Sequence, residues 1–332
     1  MLILPWIREI DMQRVLTGLV ALLLAASTGS AAAQVFPQRA VRIVVPFTPG
    51  GGPDVAARVM GKYLSDMWAQ PVLVENRAGG RTLIGTELVV RSAPDGYTLL
   101  MITNEVLVST GLGGSAAISL QKDLAPVILI QTGVNVLAVR PDSPIRTVKD
   151  LLAQAQASPG KLTFGTPGVG SSSHMAAEQL MLMTKISLQH IPYKGTAQSI
   201  SDAAGGQISM VLAAIPPLTP MFQSGKLRPV AVGSIRRFPA LPDVPTLDES
   251  GLTGFDMSTV NGLMAPAATP AAIIAKINRD AASILSKKEV VDNMLVSGSL
   301  AAGGTPADMA TFLQERVIVL KKLIAFANIT FD

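Results

Sequence analysis

The sequence predicts an α/β fold made of two similar units that face each other across a cleft. Strand-like apolar runs alternate with helix-like segments through most of the chain, which is typical of α/β proteins with mostly parallel sheets. Two of the strand-to-helix junctions carry glycine clusters, at residues 50–52 and 165–170. Because ligands of open α/β sheets bind at the carboxyl ends of strands, we expect both junctions to hold one small molecule.

The first 33 residues have the features of a secretory signal peptide. An apolar segment at residues 15–26 precedes small residues, with Ala31 and Ala33 placed as an A-x-A cleavage site. The segment is shorter than the roughly 20 residues that span a bilayer, so cleavage is expected and an uncleaved anchor is the alternative. Met12 is an alternative start, since two acidic residues precede it.

Composition narrows the classes of function. The chain has no cysteine, which excludes disulfides, a thiol nucleophile and cysteine-bound metals, and its two histidines, His174 and His190, lack metal-ligand spacing. The net charge of +4 is scattered, and aromatic residues make up only 4% of the chain, so nucleic acid is not an expected partner. No metal and no cofactor are predicted.

The first unit is predicted from apolar strands separated by helical periodicity. In chain order the elements are a strand at 41–45, a helix at 55–67, a strand at 71–75, a helix at 83–92 and a strand at 98–102. A strand at 134–140 then leaves this unit.

The second unit repeats the strand, glycine loop and helix order. Its predicted elements are a helix at 147–155, a strand at 161–164, a loop at 165–173, a helix at 174–183 and strands at 188–193, 208–212 and 229–232. Beyond Asn261 the chain is expected to be rich in helix, with long helices at 271–285 and 306–326.

The first glycine loop is suited to an anion. Gly50, Gly51 and Gly52 allow positive φ and close approach of the backbone, and the N–H groups of the following helix favour negative charge. The loop has neither the lysine of a phosphate-binding P-loop nor the G-x-G-x-x-G pattern of dinucleotide binding. Asp54 is expected either to cap the helix or to contact the ligand. Asn104, just past a predicted strand, is a further candidate amide contact.

The second loop offers similar groups. Gly168, Gly170 and three serines precede a helix, so the loop either binds a ligand or carries an ordinary serine cap. Ser171 and His174 raise the alternative of an exported hydrolase, although no G-x-S-x-G elbow surrounds the serine. Tyr193 and Lys194 end a predicted strand, where the lysine either pairs with a carboxylate or is solvated.

Ordered motifs along the mature chain resemble the Bug receptors, the TctC-type substrate-binding proteins of tripartite tricarboxylate transporters. The motifs are VPFTPGGGPD at 45–54, VENRAGG at 74–80, PDGYTLL at 94–100, HIPYKG at 190–195, LPDVPT at 241–246 and the AP and TP pairs at 265–266 and 269–270. The resemblance runs from about residue 37 to the last helices.

The resemblance implies a two-domain periplasmic binding protein of the type II, clamshell kind, with a ligand cleft between its lobes. Lobe 1 would contain residues 36–137 and 262–332, and lobe 2 residues 138–261. A carboxylate would be held by Phe47, Thr48, Gly51, Gly52 and Asp54 on one side and by Gly168, Gly170, Ser171 and Ser172 on the other, with His174 nearby. The implied protein is a monomeric periplasmic receptor that serves a TctA/TctB-type permease.

Two departures from the family pattern bear on the ligand. Ala213 and Ala214 stand where relatives commonly have an aspartate or serine, and Val260 and Asn261 stand where an aromatic pair is common. A ligand donor placed at the first position would lack a partner, at a cost of roughly 1–3 kcal/mol. The hypothesis is therefore that an α-amino acid binds less well than a dicarboxylate, an aromatic acid or another less polar ligand. A solute sensor that feeds a signalling system is an alternative to transport.

Overall fold

The computed structural model describes residues 36–111 and 118–327. The predicted signal peptide, including Ala31 and Ala33, lies outside these residues. From Arg39 onward the described chain forms two mixed β-sheets whose flanking helices belong to one compact unit.

The first sheet has six strands in the order β11-β4-β10-β3-β1-β2. The strands are β1 (Val41–Val45), β2 (Val72–Asn76), β3 (Thr98–Ile102), β4 (Leu124–Gly133), β10 (Thr259–Pro266) and β11 (Ser299–Gly303). β1 pairs with β2 and β3 in parallel, whereas β10 runs antiparallel to β3 and β4, and β11 antiparallel to β4.

The second sheet has five strands in the order β7-β6-β8-β5-β9. The strands are β5 (Asn135–Val139), β6 (Thr163–Thr166), β7 (Gln189–Pro192), β8 (Met210–Ala214) and β9 (Arg228–Val232). β6 pairs in parallel with β7 and β8, and β5 runs antiparallel to β8 and β9.

Helices follow most strands and cover the sheets. They are α1 (Gly52–Trp68), α2 (Leu83–Val90), α3 (Asn104–Gly111), α4 (Leu120–Asp123), α5 (Val148–Ala157), α6 (Ser172–Thr184), α7 (Thr196–Ala204), α8 (Ile215–Gln223), α9 (Ala271–Leu285), α10 (Lys288–Val296) and α11 (Pro306–Phe326). α1 packs against α9, and α11 packs against both β4 and α6.

The buried core is continuous between the sheets. One cluster of buried apolar side chains includes Leu100 and Val260 from the first sheet, Leu137 and Phe164 from the second, and Met309 from α11. Burial of this much apolar surface is the main favourable term for folding, so the two sheets are stabilised together.

The chain passes between the sheets at two places in the described ranges. Val134 alone separates β4 from β5, and a longer segment, residues 233–258, connects β9 with β10. The predicted lobe limits, 137/138 and 261/262, fall inside β5 and β10, and they stay a prediction.

The structure confirms the predicted α/β class and corrects several details. The expectation of mostly parallel sheets is wrong, because each sheet joins a parallel half to an antiparallel half. α1 begins at Gly52, three residues before the predicted start, and α6 begins at Ser172 instead of His174. β4, β10 and β11 were not predicted. Among the described helices, none is long and apolar enough to cross a membrane.

Candidate functional site

The two sheets meet at the edges where their parallel strands end. The two places where the chain passes between the sheets, here called the crossings, lie at these edges. Gly133, the last residue of β4, pairs with Thr259 at the edge where β1 and β3 end, and Asn135, the first residue of β5, pairs with Ala214 at the end of β8. Only Val134 lies between them. The loops after β1 and β3 and the loops after β6 and β8 therefore border the same short crossing.

The loop after β1 leaves helix N–H groups without a side-chain cap. The N-cap of α1 is Gly51, which makes no capping hydrogen bond, and Gly50 has a φ of +88°, a left-handed conformation that favours glycine. Thr48 and all three glycines are exposed. Uncapped N–H groups at an exposed helix start are suited to an anion.

Asp54 supports this loop from within. It is the third residue of α1, so the expectation that it is the N-cap is wrong. The residue is 3% exposed, and its side chain accepts hydrogen bonds from Gly50 N at 2.9 Å, Arg58 Nε at 3.0 Å and Asn76 Nδ2 at 2.9 Å. The Arg58 guanidinium is the largest cause that lowers the pKa of Asp54 to about 2. Both carboxylate oxygens are thus occupied in holding the loop.

Phe47 and Thr48 lie at the outer part of the same loop. Phe47 is half-buried, and its carbonyl oxygen accepts a hydrogen bond from Asn76 Nδ2 at 3.1 Å. Asn76 therefore ties Phe47 to Asp54. Thr48 keeps an exposed side chain that a ligand can reach.

The loop after β6 has a comparable shape with a different cap. Gly168 and Gly170 have φ values of +142° and +77°. Ser171 is the N-cap of α6: its hydroxyl accepts from His174 N at 3.2 Å and donates to Gly168 O at 2.8 Å. The half-buried Ser172 follows as the first helical residue. Ser171 is thus an ordinary helix cap, and Ser172 next to it has a hydroxyl available to a ligand.

His174 holds this loop through its ring. Gly170 N donates to Nδ1 at 3.1 Å, so Nδ1 is an acceptor, and Nε2 lies 3.2 Å from Glu178 Oε1. This pattern fits the neutral tautomer that carries its proton on Nε2. The Ser171 hydroxyl donates to Gly168 O instead of the imidazole, so the two side chains do not form the nucleophile and base of a hydrolase.

A three-ring stack that sequence reasoning missed lies behind the loop. His190 on β7 stacks on His174 with ring centroids 4.1 Å apart and on Phe164 at 4.8 Å, and its Nε2 is 2.7 Å from Thr166 Oγ1. Burial, and secondarily the adjacent His174, lowers the pKa of His190 to about 4. The signal in the sequence was that both histidines of the chain fall in one predicted unit, His174 at a helix start and His190 in a strand.

Tyr193 and Lys194 follow β7 at this edge. The Tyr193 hydroxyl donates to Asp202 Oδ2 at 2.8 Å, and burial raises the pKa of Tyr193 to about 12, so this hydroxyl serves the packing of α7. Lys194 is exposed. Of the pair, only the lysine presents a polar group toward solvent.

Two asparagine side chains hold residues 257 and 258 of the second crossing by hydrogen bonds. Asn104, the first residue of α3, donates from Nδ2 to Ser258 O at 3.2 Å. Asn135 donates from Nδ2 to Met257 O at 3.3 Å and accepts from Ser173 of α6 at 3.1 Å. Sequence reasoning missed Asn135, because only the strand pairing brings it beside the crossing. Ser173 was one of the three serines of the second loop, but its contact with Asn135 was not predicted.

A cavity of about 290 Å³ lies elsewhere, between α3, α11 and the segment that leads into β4. None of its lining residues belongs to either glycine loop, and most of them are apolar. We place the candidate site at the loops and not in this cavity, because the loops carry the exposed N–H groups.

Comparison with known proteins places the chain among related sequences of one family. Residues 56–329 match the model of the tripartite tricarboxylate transporter family receptor. A "UPF0065 protein in tcbD-tcbE intergenic region" of Pseudomonas sp. (strain P51) is 33% identical over 96% of each chain. Protein BugT of Bordetella pertussis is 34% identical over 86% of this chain and 88% of its own.

Solved structures show the same architecture. A TctC solute binding protein from Polaromonas superposes with a TM-score of 0.79 at 26% identity, over 87% of this chain and 99% of its own. R. palustris Rpa4515 with adipate gives 0.73 at 30% identity, over 89% and 99%. MatC from Rhodopseudomonas palustris with bound malate gives 0.69 at 28% identity, over 87% and 100%.

The family match and the solved neighbours of the same two-sheet α/β fold assign the chain to the periplasmic solute-binding receptors. More specifically, the chain belongs to the TctC family of tripartite tricarboxylate transporter receptors. Members of this family are periplasmic receptors. The family resemblance that the motifs carry is therefore confirmed.

Proposed function

We propose that this receptor captures a small carboxylate-bearing molecule between the loops after β1 and β6 and delivers it to a TctA/TctB-type permease. The observation that carries the proposal is the convergence of both loops on one crossing, each loop followed by a helix start. Export would use the first 33 residues as a signal peptide, and the receptor would act as a periplasmic monomer.

Each loop would supply a distinct part of the site. On the first loop, Phe47, Thr48, Gly51 and Gly52 would contact the ligand, and Asp54 would act by fixing the loop. On the second, Gly168, Gly170, Ser171 and Ser172 would contribute backbone and hydroxyl groups. Asn104, Tyr193 and Lys194 would line the edges, and His174 would orient Gly170.

The solved neighbours that hold adipate and malate support a carboxylate as ligand class, because both compounds are dicarboxylic acids. The lack of a polar side chain at Ala213 and Ala214, the last two residues of β8, supports the narrower hypothesis that an α-amino acid binds less well. Equal affinity for aspartate and succinate would contradict that hypothesis.

Binding would act by closing the lobes, divided near 137/138 and 261/262. A ligand that contacts both loops binds the closed form better than the open form, so it shifts the equilibrium toward closure. The permease would then recognise the closed form.

The test is thermal unfolding of the mature protein, refolded from denaturant, against mono-, di- and tricarboxylates, aromatic acids and amino acids. A ligand at 100 times its Kd should add about 2.7 kcal/mol of stability. In Gly170→Ala the side chain meets open space but forces strain at φ +77°, so the ligand-dependent shift should disappear.

Gly225→Ala is the matched control. Gly225 also has a positive φ, +66°, and open space around it, and it lies between α8 and β9. Both variants should lose similar intrinsic stability, and only Gly225→Ala should keep the ligand shift. No shift with any acid would overturn the proposal. Loss of solute uptake on deletion of the gene would separate transport from sensing.

A further inference from the structure

The cavity between α3, α11 and the segment that leads into β4 is large enough to hold a small molecule. Its volume is about 290 Å³. Protein interiors are close-packed and contain few voids larger than a water molecule. An apolar cavity of about 150 Å³ already binds benzene, so this one has room for a ligand of roughly twelve non-hydrogen atoms.

One wall of the cavity is a single face of α11. Ala310, Leu313, Gln314, Val317 and Lys321 line the cavity, and their spacing of three and four residues places them on the same side of the helix. The apolar residues come first, and Lys321 lies one turn beyond Val317. Long helical side chains lean toward the helix N-terminus, so the lysine leans toward the apolar part of this face.

The floor of the cavity is apolar and buried. Leu120, Leu124, Met264 and Leu313 line it, and these residues are between 1% and 6% exposed. Side chains around an empty space lack contact partners on that side, and an apolar ligand would supply them. The floor therefore suits a hydrocarbon chain or a ring.

The charge at the rim selects the head group. Lys321 is exposed and is the one charged residue among those that line the cavity. Within the described residues its ammonium has no ion-pair partner. An anionic head group at this rim is attracted to the lysine and stays hydrated, whereas a cationic head group is repelled. The other polar residues of the lining are neutral: Thr110, Ser119, Gln121 and Gln314.

We propose that this cavity is a second binding site, which takes a small amphipathic acid. The apolar body lies on the floor, and the carboxylate lies at the rim beside Lys321. Lys321 follows Leu313 by eight residues, which corresponds to roughly 12 Å along the helix axis, so the ligand must be elongated. The site is separate from the glycine loops and does not depend on the function proposed for them.

The experiment follows the methyl NMR signal of Met264 in mature protein labelled at its methionines. The signal is identified by its absence in Met264→Leu. Octanoate, 1-octanol and octylammonium share one chain and differ in the charge of the head group, and butyrate has a shorter chain. Octanoate should shift the Met264 signal and bind at least about 3-fold more tightly than 1-octanol, with octylammonium weakest. Butyrate should bind at least about 10-fold more weakly than octanoate.

Matched variants test the two parts of the site. Lys321→Gln should bring the ratio of octanoate to 1-octanol affinity close to one. Lys322→Gln, exposed on the same helix and outside the lining, should leave the ratio unchanged. Ala310→Phe should fill the cavity and abolish the octanoate shift, whereas Ala307→Phe, at an exposed position of α11 outside the lining, should preserve it.

Each part of the inference has an outcome that would overturn it. A Met264 signal that octanoate does not move would overturn the site. Equal or tighter binding of 1-octanol or octylammonium would overturn the anionic ligand class, and equal effects of the two lysine variants would overturn the role of Lys321. If Gly170→Ala abolished the octanoate shift and Ala310→Phe preserved it, octanoate would act through the glycine loops and not in the cavity. The carboxylate receptor itself stands or falls on the unfolding panel above.

Discussion

Asp54 shows how one carboxylate can fix the glycine loop after β1 from within. Arg58, Asn76 and the Gly50 N–H group surround it at 2.9–3.0 Å, and the ionised form is favoured strongly enough to lower its pKa to about 2. Because the pKa in the unfolded chain is near 3.8, the stabilisation is fully present above pH 4 and is lost as the pH falls toward 2.

The first prediction follows from this linkage. Asp54→Asn should lower the free energy of unfolding at pH 6 by about 1–2 kcal/mol. This is less than the free energy equivalent to the whole pKa shift of Asp54, because Arg58 is half exposed. The variant should also lose less stability than the wild type between pH 4 and pH 2.5. Urea unfolding at these pH values measures both effects. Asp66→Asn, at an exposed position of α1, is the control, and equal pH dependence in all three proteins would contradict the prediction.

The second prediction concerns His190. The chain has two histidines, so its imidazole NMR signals are simple to assign. One signal should titrate near pH 4 and be missing in His190→Phe, which keeps an aromatic ring in the stack. Since the unfolded histidine binds its proton near pH 6.5, wild-type stability should fall between pH 6.5 and 4, more than in the variant. A His190 signal that titrates near 6.5 would show that the ring is not buried in the stack.

At the scale of elements, α6 separates a capping serine from a serine available to the ligand. Ser171→Ala removes an N-cap and should destabilise the protein by about 1 kcal/mol. Ser172→Ala should change stability little, since no hydrogen bond of its hydroxyl is seen within the described residues, but it should weaken carboxylate binding by about 5- to 10-fold. Thermal unfolding with and without ligand distinguishes the two. If both serines affected only stability, Ser172 would not be a ligand contact.

Local signals explain which elements the sequence could predict. β1, β3, α9 and α11 occur at the predicted residues, because continuous apolar strands and proline at or near helix starts are readable without tertiary information. β10 was missed because its sequence, TVNGLMAP, contains an asparagine and a glycine in the middle. It forms a strand since both neighbours pair with it, and such support is not visible locally.

The candidate site, like the fold, could be predicted only in part from the sequence. Glycine clusters after strands identified both loops, and their strand, loop and helix context is confirmed. The groups that hold the loops came from distant parts of the chain: Asn76 reaches Asp54, Asn135 reaches Ser173, and His190 stacks on His174. These contacts depend on sheet pairing, which a single sequence does not specify.

At the scale of the whole molecule, α11 connects the first sheet to the crossing. Arg316 is buried, and its guanidinium donates to Asp256 O at 2.5 Å and pairs with Asp256 Oδ2 at 3.1 Å. Asp256 begins the segment 256–258. Asn104 and Asn135 donate hydrogen bonds to the other two residues of this segment. Relative motion of the two sheets must bend the chain at this segment and at Val134, so Arg316 should restrict how far the unliganded protein opens.

The last prediction tests this restraint. Arg316→Met keeps a long apolar side chain but removes both contacts to Asp256, so the unliganded protein should sample wider openings and show a larger radius of gyration by small-angle X-ray scattering. With saturating ligand the radius should match the wild type, because a ligand in contact with both loops, as proposed, would hold the closed form. Affinity should fall, since a smaller fraction of the free protein is competent to bind. Arg91→Met, which removes an exposed pair with Glu87, controls for loss of charge. If the unliganded radius and the affinity both stayed at wild-type values, the crossing would be held by its backbone pairing and not by Arg316.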